Sequence, residues 1–587
     1  MSFLWWLICL SYGLVPTTQA STNCPLYGPL FPKLGSIRQS SEIREALNTV
    51  EQIAVQYVDN STSSGAGSYS YSFEIFAGSE PESIWTHYWT ANDLRSMNTT
   101  GVRKVDGNTV YRLGSVTKVF TVLTYLAQVG NRSWNDPVTN YIPELERMAA
   151  TRTSSIFNPD WDSITIGSLA SQMSGLIRDY SLLGELTQEL GIETPVKLGF
   201  PPLPLADIPP CGEYPVCDRQ QTFAGLARAP PSFSSFTTAA YSDVGFQLLS
   251  YALQNMTGKD FGTMISESIL QPLNLTRTFY TTPDDALGVI PGNRFKTTWA
   301  GDMGDANPTG NMYASSSDLA TFGRAILNSK LIPTVMTRRW LKPLSSTSDP
   351  QAMVGSPWGV RKLNLGQTYQ YATEFNKAGS IGRYSALFSL IPELDIGLVL
   401  LASGNVGANL GFQLADTVGE VLVPALLEAA RQQAQDIYGG TYTSSDSSTN
   451  SSLTISTDPV KPGLGVTRWI SNNTDMLPVA VGIQTNTTQA DWDKLSASVR
   501  LYPTGLEDTK TDGSKYQAFK AVFENLAAPN VTGNPFTTDC STWVGITSVV
   551  YGSMPLDQFV FNLDQSGRVV SVEALALRNT LSKSKGT

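Results

Sequence analysis

Ser115 and Lys118 lie in the run V-Y-R-L-G-S-V-T-K-V-F-T-V-L, residues 110–123, and are spaced for covalent chemistry. Apolar side chains at Val116, Val119, Phe120, Leu123 and Leu126 give the run helical spacing. If Gly114 or Ser115 opens that helix, Ser115 and Lys118 leave its first turn on one side, and the lysine amine reaches the serine hydroxyl. A serine hydroxyl is a poor nucleophile until an adjacent base takes its proton. A helix N-terminus also offers free N–H groups and partial positive charge to a developing oxyanion. Glycine before the serine permits close backbone approach. S-x-x-K is a loose constraint by itself, since Ser582 and Lys585 repeat it in the polar tail.

Other residue types narrow the chemistry. The one histidine, His87, sits in the aromatic, strand-like run S-I-W-T-H-Y-W-T, where a structural role is expected. A multi-histidine metal site is impossible, and no metal or cofactor is expected. No G-x-S-x-G, Walker A or complete G-x-G-x-x-G occurs. A serine enzyme built this way must draw its base from lysine or tyrosine. The net charge of −10 and the absence of basic clusters argue against nucleic acid as a partner.

The frame for this chemistry begins with a secretory signal over residues 1–20, an apolar F-L-W-W-L-I-C-L followed by T-T-Q-A, with no positive n-region. No later stretch reads as a membrane anchor. Beyond Cys9, the cysteines number four. The short loop C-G-E-Y-P-V-C favours pairing of Cys211 with Cys217, which leaves Cys24 for Cys540. Nine sequons, at Asn60, Asn98, Asn131, Asn255, Asn274, Asn450, Asn472, Asn486 and Asn530, fit a glycosylated secreted protein.

Residues 21–70 read as a Pro-rich arm, then a helix opened by Ser40/Ser41 with Ile43, Leu47, Val50, Ala54 and Tyr57 on one face, then a D-N-S-T-S-S-G-A-G loop. Residues 71–436 read as the catalytic domain. Its Y-S-F-E-I-F alternates like a strand and S-I-W-T-H-Y-W-T is its expected neighbour. I-T-I-G-S-L-A-S-Q-M-S-G-L predicts a buried helix closed by Gly175. Residues 181–236, rich in Pro and Gly, predict a functional wall or lid. Tyr241, Ser242 and Asp243 precede an amphipathic helix, which Asp243 is suited to cap. The run from Asn376 to Gly404 predicts two buried strands joined at Pro392, followed by a helix from Leu410 to about Gln435. Residues 437–587 predict a separate, mostly antiparallel β domain with no catalytic cluster.

Three clusters thus stand in order: Ser115/Lys118, Tyr241/Asp243, and Lys377 with Ala378 and Gly379. In this order the chain resembles the penicillin-recognising serine hydrolases, the class C β-lactamases and D-alanyl-D-alanine carboxypeptidases, and above all secreted fungal β-lactamase-like proteins with an extra C-terminal domain. The resemblance runs from about Glu74 to Val423. It implies an α+β, serine β-lactamase/transpeptidase-like fold: an antiparallel sheet flanked by helices, plus a helical subdomain. It makes Ser115 the nucleophile, Lys118 its basic partner, Tyr241 the general base or proton shuttle, and K-A-G the motif on the strand edging the site. The N–H groups of Ser115 and Ser380 would form the oxyanion hole. L-A-S-Q-M-S-G-L is similar to the family's L-L-S-H-T-S-G-L, with Gln172 replacing His. Asp243 stands where the family usually has Asn, and Ala378 where β-lactamases usually have Thr. Both departures disfavour carboxylate-bearing β-lactams. The expected partner is a small-molecule acyl substrate, hydrolysed or transferred; a catalytically inactive binding protein on the same scaffold is the alternative. The sequence does not read out the oligomeric state.

Overall fold

In a computed structural model of the chain, the apolar runs of the first two-thirds assemble into an eight-stranded antiparallel sheet. The structure describes residues 22–63, 69–213, 215–405, 410–446, 448–529, 531 and 534–584. The signal segment, Cys9, the sequon Asn530 and Lys585 lie outside the described residues, as does the side chain of Asn60. The described residues form two compact units, one within 33–365 and 371–429, the other within 22–32, 366–370 and 430–584.

The sheet of the first unit runs, in spatial order, through Trp85–Trp89, Tyr69–Ala77, Ile396–Gly404, Tyr384–Ile391, Tyr371–Ile381, Gly359–Asn364, Ala352–Val354 and Ser345–Ser346. Phe73 pairs with Leu400 on one side and His87 on the other. Both faces of the sheet are covered. Against one face lie the helix Ser41–Ser63, through Ile43, Ala46 and Val50, and the helix Leu410–Tyr438, through Leu414, Val418 and Leu422. Against the other lies the helix Ser316–Leu327, with Thr117–Gln128 packed on it through Phe120 and Val244–Thr257 packed on Thr117–Gln128 in turn. There Phe120 stacks on Phe322 at 4.1 Å, and Phe322 meets Phe388 of the sheet at 5.7 Å. Each such fully buried side chain contributes about 1.5–3 kcal/mol. The expected antiparallel sheet with helices on both faces is therefore what forms.

Local expectations fared unevenly. The alternation of Y-S-F-E-I-F does not mark a solvent face, because the whole Tyr69–Ala77 strand is buried. Its polar members are satisfied inside: Ser72 bonds Tyr111 at 3.0 Å, and Glu74 accepts from the hydroxyls of Ser316 and Ser317 at 2.7 and 2.8 Å. The first helix runs on to Ser63, through part of the expected loop. The predicted long helix before Gly175 spans only Ile166–Ala170, since Gln172 and Gly175 take φ of 63° and 70°, which no α-helix accommodates. The run from Asn376 holds three strands where two were expected. The missed turn is the two-residue connection Gly382–Arg383 between paired Ile381 and Tyr384, made by Gly382 at φ 55°. The following helix ends at Tyr438.

Residues 181–236 fold into short helices, Leu186–Leu190, Glu193–Lys197 and Arg219–Leu226, with Cys211 bonded to Cys217. The second unit is an antiparallel barrel, its strand order closed by pairing of Ser452–Ser456 with Leu464–Ser471. The helix Met476–Gln484 accompanies it. The barrel retains the N-terminal arm: Cys24 is bonded to Cys540, and Asn23 donates to Ser498 at 2.9 Å and Glu524 at 2.6 Å. Among the described residues no helix is long and apolar enough to cross a membrane. Asn98, Asn255, Asn274, Asn450, Asn472 and Asn486 are exposed and Asn131 is half-buried.

Candidate active site

The Ser115 turn and the end of the Tyr371–Ile381 strand are pressed together at two glycines. Gly114–Val116 is a 3₁₀ turn that runs directly into the helix Thr117–Gln128. Gly114 has φ 52°, and a Cβ on it would lie 2.7 Å from the backbone N of Ser380. A Cβ on Gly379 would lie 2.0 Å from the carbonyl oxygen of Leu113 and 2.8 Å from the N of Ser115. Only glycine fits either position, and the Ser115 and Ser380 amides are brought side by side.

Thr117 and Thr121, one turn apart on the helix, hold the neighbouring segment Asn307–Gly310 in place. Thr117 accepts from the Met312 N–H at 3.1 Å, and Thr121 donates to the Pro308 carbonyl at 2.7 Å. That places the Thr309 carbonyl over Lys118. The Lys118 ammonium is wholly buried and donates to Ser115 Oγ at 2.9 Å, to Thr309 O at 2.7 Å and to the Asp243 carboxylate. An ammonium has three N–H bonds, and all three are used. Burial alone pushes its pKa down, but Tyr241 and Asp243 outweigh that and hold it above the ordinary lysine value. Lys118 is thus set as a cation that donates to Ser115.

Tyr241 comes from the other side, its hydroxyl donating to Ser115 Oγ at 2.7 Å. Its loop hangs on Gln172, whose carbonyl accepts from the Ala240 N–H at 2.9 Å and whose side-chain oxygen accepts from the Ser242 N–H at 2.6 Å. This is what the residue replacing histidine does, and it explains the positive φ: both groups must face one strand of chain. Three cations surround the phenol. Lys118 Nζ, Lys377 Nζ and the Arg178 guanidinium carbon lie 5.1, 5.2 and 5.0 Å from the ring centre. Burial pushes the phenol up, yet Lys118 and Lys377 bring it below the usual tyrosine value. Lys377 is itself lowered, first by burial and further by Lys118, and donates to the Ala378 carbonyl at 2.7 Å.

Asp243 does not cap the helix it precedes. No cap bond forms from its side chain; Ser242 Oγ accepts from the Gly245 N–H at 3.1 Å in its place. The Asp243 carboxylate is left for Lys118, and Arg178 Nε lies 4.0 Å from its second oxygen.

Ser115, Lys118, Tyr241, Asp243, Lys377, Gly379 and Ser380 therefore converge on one site. Cys211 and Cys217 stand near it: Cys217 bonds Ser181 Oγ at 3.1 Å and lines a small cavity with Asp243. Cys24 and Cys540 belong to the barrel. His87 bonds Tyr71 at 2.9 Å and stacks on Trp85, with no bond to Ser115. Arg178, Asp179 and Thr309 were not anticipated. A charged Arg-Asp pair directly after the apolar S-G-L-I was a usable signal for the first two; a backbone carbonyl such as Thr309's leaves none. Among the described residues no group of His, Cys, Asp or Glu could hold a metal ion.

The β-lactamase family profile matches residues 82–422, and a profile described as "Beta-lactamase-like-like, C-terminal domain" matches residues 430–585. The chain is 29% identical to a "Beta-lactamase-like protein" of Arthroderma benhamiae, covering 98% of each. It is 27% identical to a "Probable hydrolase" of a Phoma species, covering 88% of this chain and 85% of the relative. Among solved structures it is similar to a D-stereospecific amidohydrolase from Streptomyces, at 20% identity and a TM-score of 0.43, covering 59% of this chain and 93% of the other.

Proposed function

This chain belongs to the β-lactamase family, and from that premise we propose that it is a secreted serine hydrolase forming an acyl-enzyme on Ser115. The observation that carries this reading is the pair of donors on one hydroxyl: Ser115 Oγ receives Tyr241 at 2.7 Å and Lys118 at 2.9 Å.

The base is Tyr241, because every Lys118 proton is already committed and the surrounding cations favour the phenolate. When Tyr241 loses its proton, the Ser115 contact reverses and the serine O–H donates to the phenolate. Ser115 Oγ then bonds to the substrate carbonyl carbon as its proton passes to Tyr241. The oxyanion sits against the Ser115 and Ser380 N–H groups. Its collapse breaks the bond to the leaving alcohol or amine, which takes the proton from Tyr241. Water repeats the cycle on the acyl-enzyme and releases an acid and free Ser115.

The substrate favoured is an ester or amide without a carboxylate near the scissile bond. Asp243 adds negative charge where Asn would add none, and Ala378 lacks a hydroxyl. Hydrolysis is preferred over transfer on the names of the fungal relatives, a "Probable hydrolase" in both Phoma and Cochliobolus lunatus. Secretion is supported by the signal-like residues 1–20, two disulfides and six exposed sequons.

The test is covalent labelling of the mature protein with a fluorophosphonate, peptide mapping of the adduct, and a panel of neutral acyl esters and amides. An adduct on Ser115 with turnover of a neutral ester is expected. Absence of any adduct would leave the reading without its central step.

A further inference from the structure

A second carboxyl group stands behind the first and takes no part in that scheme. Asp179 follows Arg178, and its side chain is only 6% exposed. Arg178 Nε lies 3.9 Å from Asp179 Oδ2 and 4.0 Å from Asp243 Oδ2, so the two carboxyls face the same nitrogen, beyond hydrogen-bond distance from it. Asp179 Oδ2 is buried without a donor, and its neighbour is Asp243. Two ionised carboxylates are both acceptors, so a buried contact between them needs a proton. The pair also lines a cavity of about 20 Å³ with Cys217, Thr222, Gln247 and Thr309, large enough for about one water.

We propose that Asp179 is a positioning residue held as a neutral carboxylic acid, donating its proton to Asp243 and so fixing the other Asp243 oxygen on Lys118. The idea rests on the Ser115 acyl-enzyme reading. The charged groups facing Asp179 are Asp243, Lys118 and Arg178, and Lys118 and Arg178, with Lys377, also lie against the Tyr241 ring. Burial, then the charge of Asp243, pushes Asp179 up to about 8, and the proton belongs to the pair more than to either member. When it leaves for solvent, a second negative charge faces Lys118. That charge opposes both the Tyr241 phenolate and the substrate oxyanion, so the reaction slows as pH rises through the pair's titration.

The experiment follows the fluorophosphonate labelling rate of Ser115, and kcat/KM on an uncharged ester, against pH in wild type and in Asp179→Asn. Both proteins carry the rise due to Tyr241; above a midpoint near 8 the wild-type rates should fall behind those of Asp179→Asn, by about tenfold or more once the pair has titrated. Asp179→Asn, whose amide donates the same bond without titrating, should show the Tyr241 rise alone. A wild-type to variant ratio that stays constant through this range would overturn the proposal. Infrared spectra of wild type at neutral pH give a readout independent of activity and of the variant's folding: a protonated-acid carbonyl band that disappears on raising the pH. Its absence would also overturn the proposal. Failure of Ser115 to label at any pH would reject the acyl-enzyme reading instead, and the infrared band would still decide where the proton sits.

Discussion

Asp243→Asn is the substitution whose outcome the charges of the site determine most directly. Asp243 raises Lys118 and opposes the lowering of Tyr241. Removing its charge while keeping an oxygen acceptor therefore lowers both groups, and the acid limb of kcat/KM moves to lower pH whichever of them is the base. A neighbouring opposite charge shifts a pKa by about 1–3 units, worth roughly 1.4–4 kcal/mol. The single variant should show the low end, about one unit, because Asp179 loses the repulsion of Asp243 and ionises in its place. The double variant Asp179→Asn/Asp243→Asn removes the Asp243 charge and leaves no acid to ionise in its place, and should reach about 2–3 units. The assay is a pH–rate profile with an uncharged p-nitrophenyl ester, where no substrate group titrates. A parallel series with a carboxylate-bearing β-lactam should show improved turnover in the double variant, where neither position can carry the repulsive charge. Stability follows the same signs. The folded Lys118 value is raised, so its contribution is fully present below the unfolded value of about 10.4 and is lost as pH rises through the folded one. The variant should accordingly melt earlier at neutral pH and approach wild type only at strongly alkaline pH. An acid limb that stays put or moves upward in both variants would refute the electrostatic account.

Other outcomes follow from the same geometry. Ser115→Ala should abolish fluorophosphonate labelling and lower kcat/KM by several orders of magnitude, read by intact-mass analysis and ester turnover; labelling that persists would reject this serine. Tyr241→Phe keeps the ring beneath its three cations but loses the proton acceptor, so kcat should fall about 10²- to 10⁴-fold with little change in melting temperature; a loss below tenfold would move the base role elsewhere. Replacing Cys211 and Cys217 together by Ser should raise KM while thermal unfolding of the domain stays cooperative, because Cys217 bonds Ser181 and borders the Asp179/Asp243 cavity; an unaltered KM would show that this loop does not shape the substrate site.

Much of the frame was legible because it rests on periodicity. The aromatic run at Trp85–Trp89 and the first helix carry their apolar spacing in the sequence, and their pairing follows from it. What failed is instructive. Alternation in Tyr69–Ala77 resembles a half-exposed strand, yet Ser72 and Glu74 point inward to hydroxyl partners more than thirty residues away in sequence. Local patterning cannot show partners that distant. The shortened Ile166–Ala170 helix failed for another reason: its apolar run continues past Ala170, but the backbone must turn at Gln172 to hold the tyrosine loop.

The site itself was legible where it depends on side-chain spacing and obscure where it depends on environment. Ser115 and Lys118 share a helical turn, and Gly379 with Ser380 needed only a strand edge to reach them. Nothing in the residue types says whether Lys118 accepts or donates a proton. That is decided by Thr309 O and Asp243 taking the two N–H bonds that Ser115 does not, which leaves the amine no lone pair to offer. In the proposed scheme the base is then Tyr241, and here Arg178 matters more than its exposed position indicates. It brings a third cation to the phenol ring while standing between the two carboxyls. A site with Asn at position 243 would be more positive. With Asp there, a second acid can sit behind it only by keeping its proton, so the departure from the family pattern at 243 and the buried acid at 179 are two halves of one charge balance.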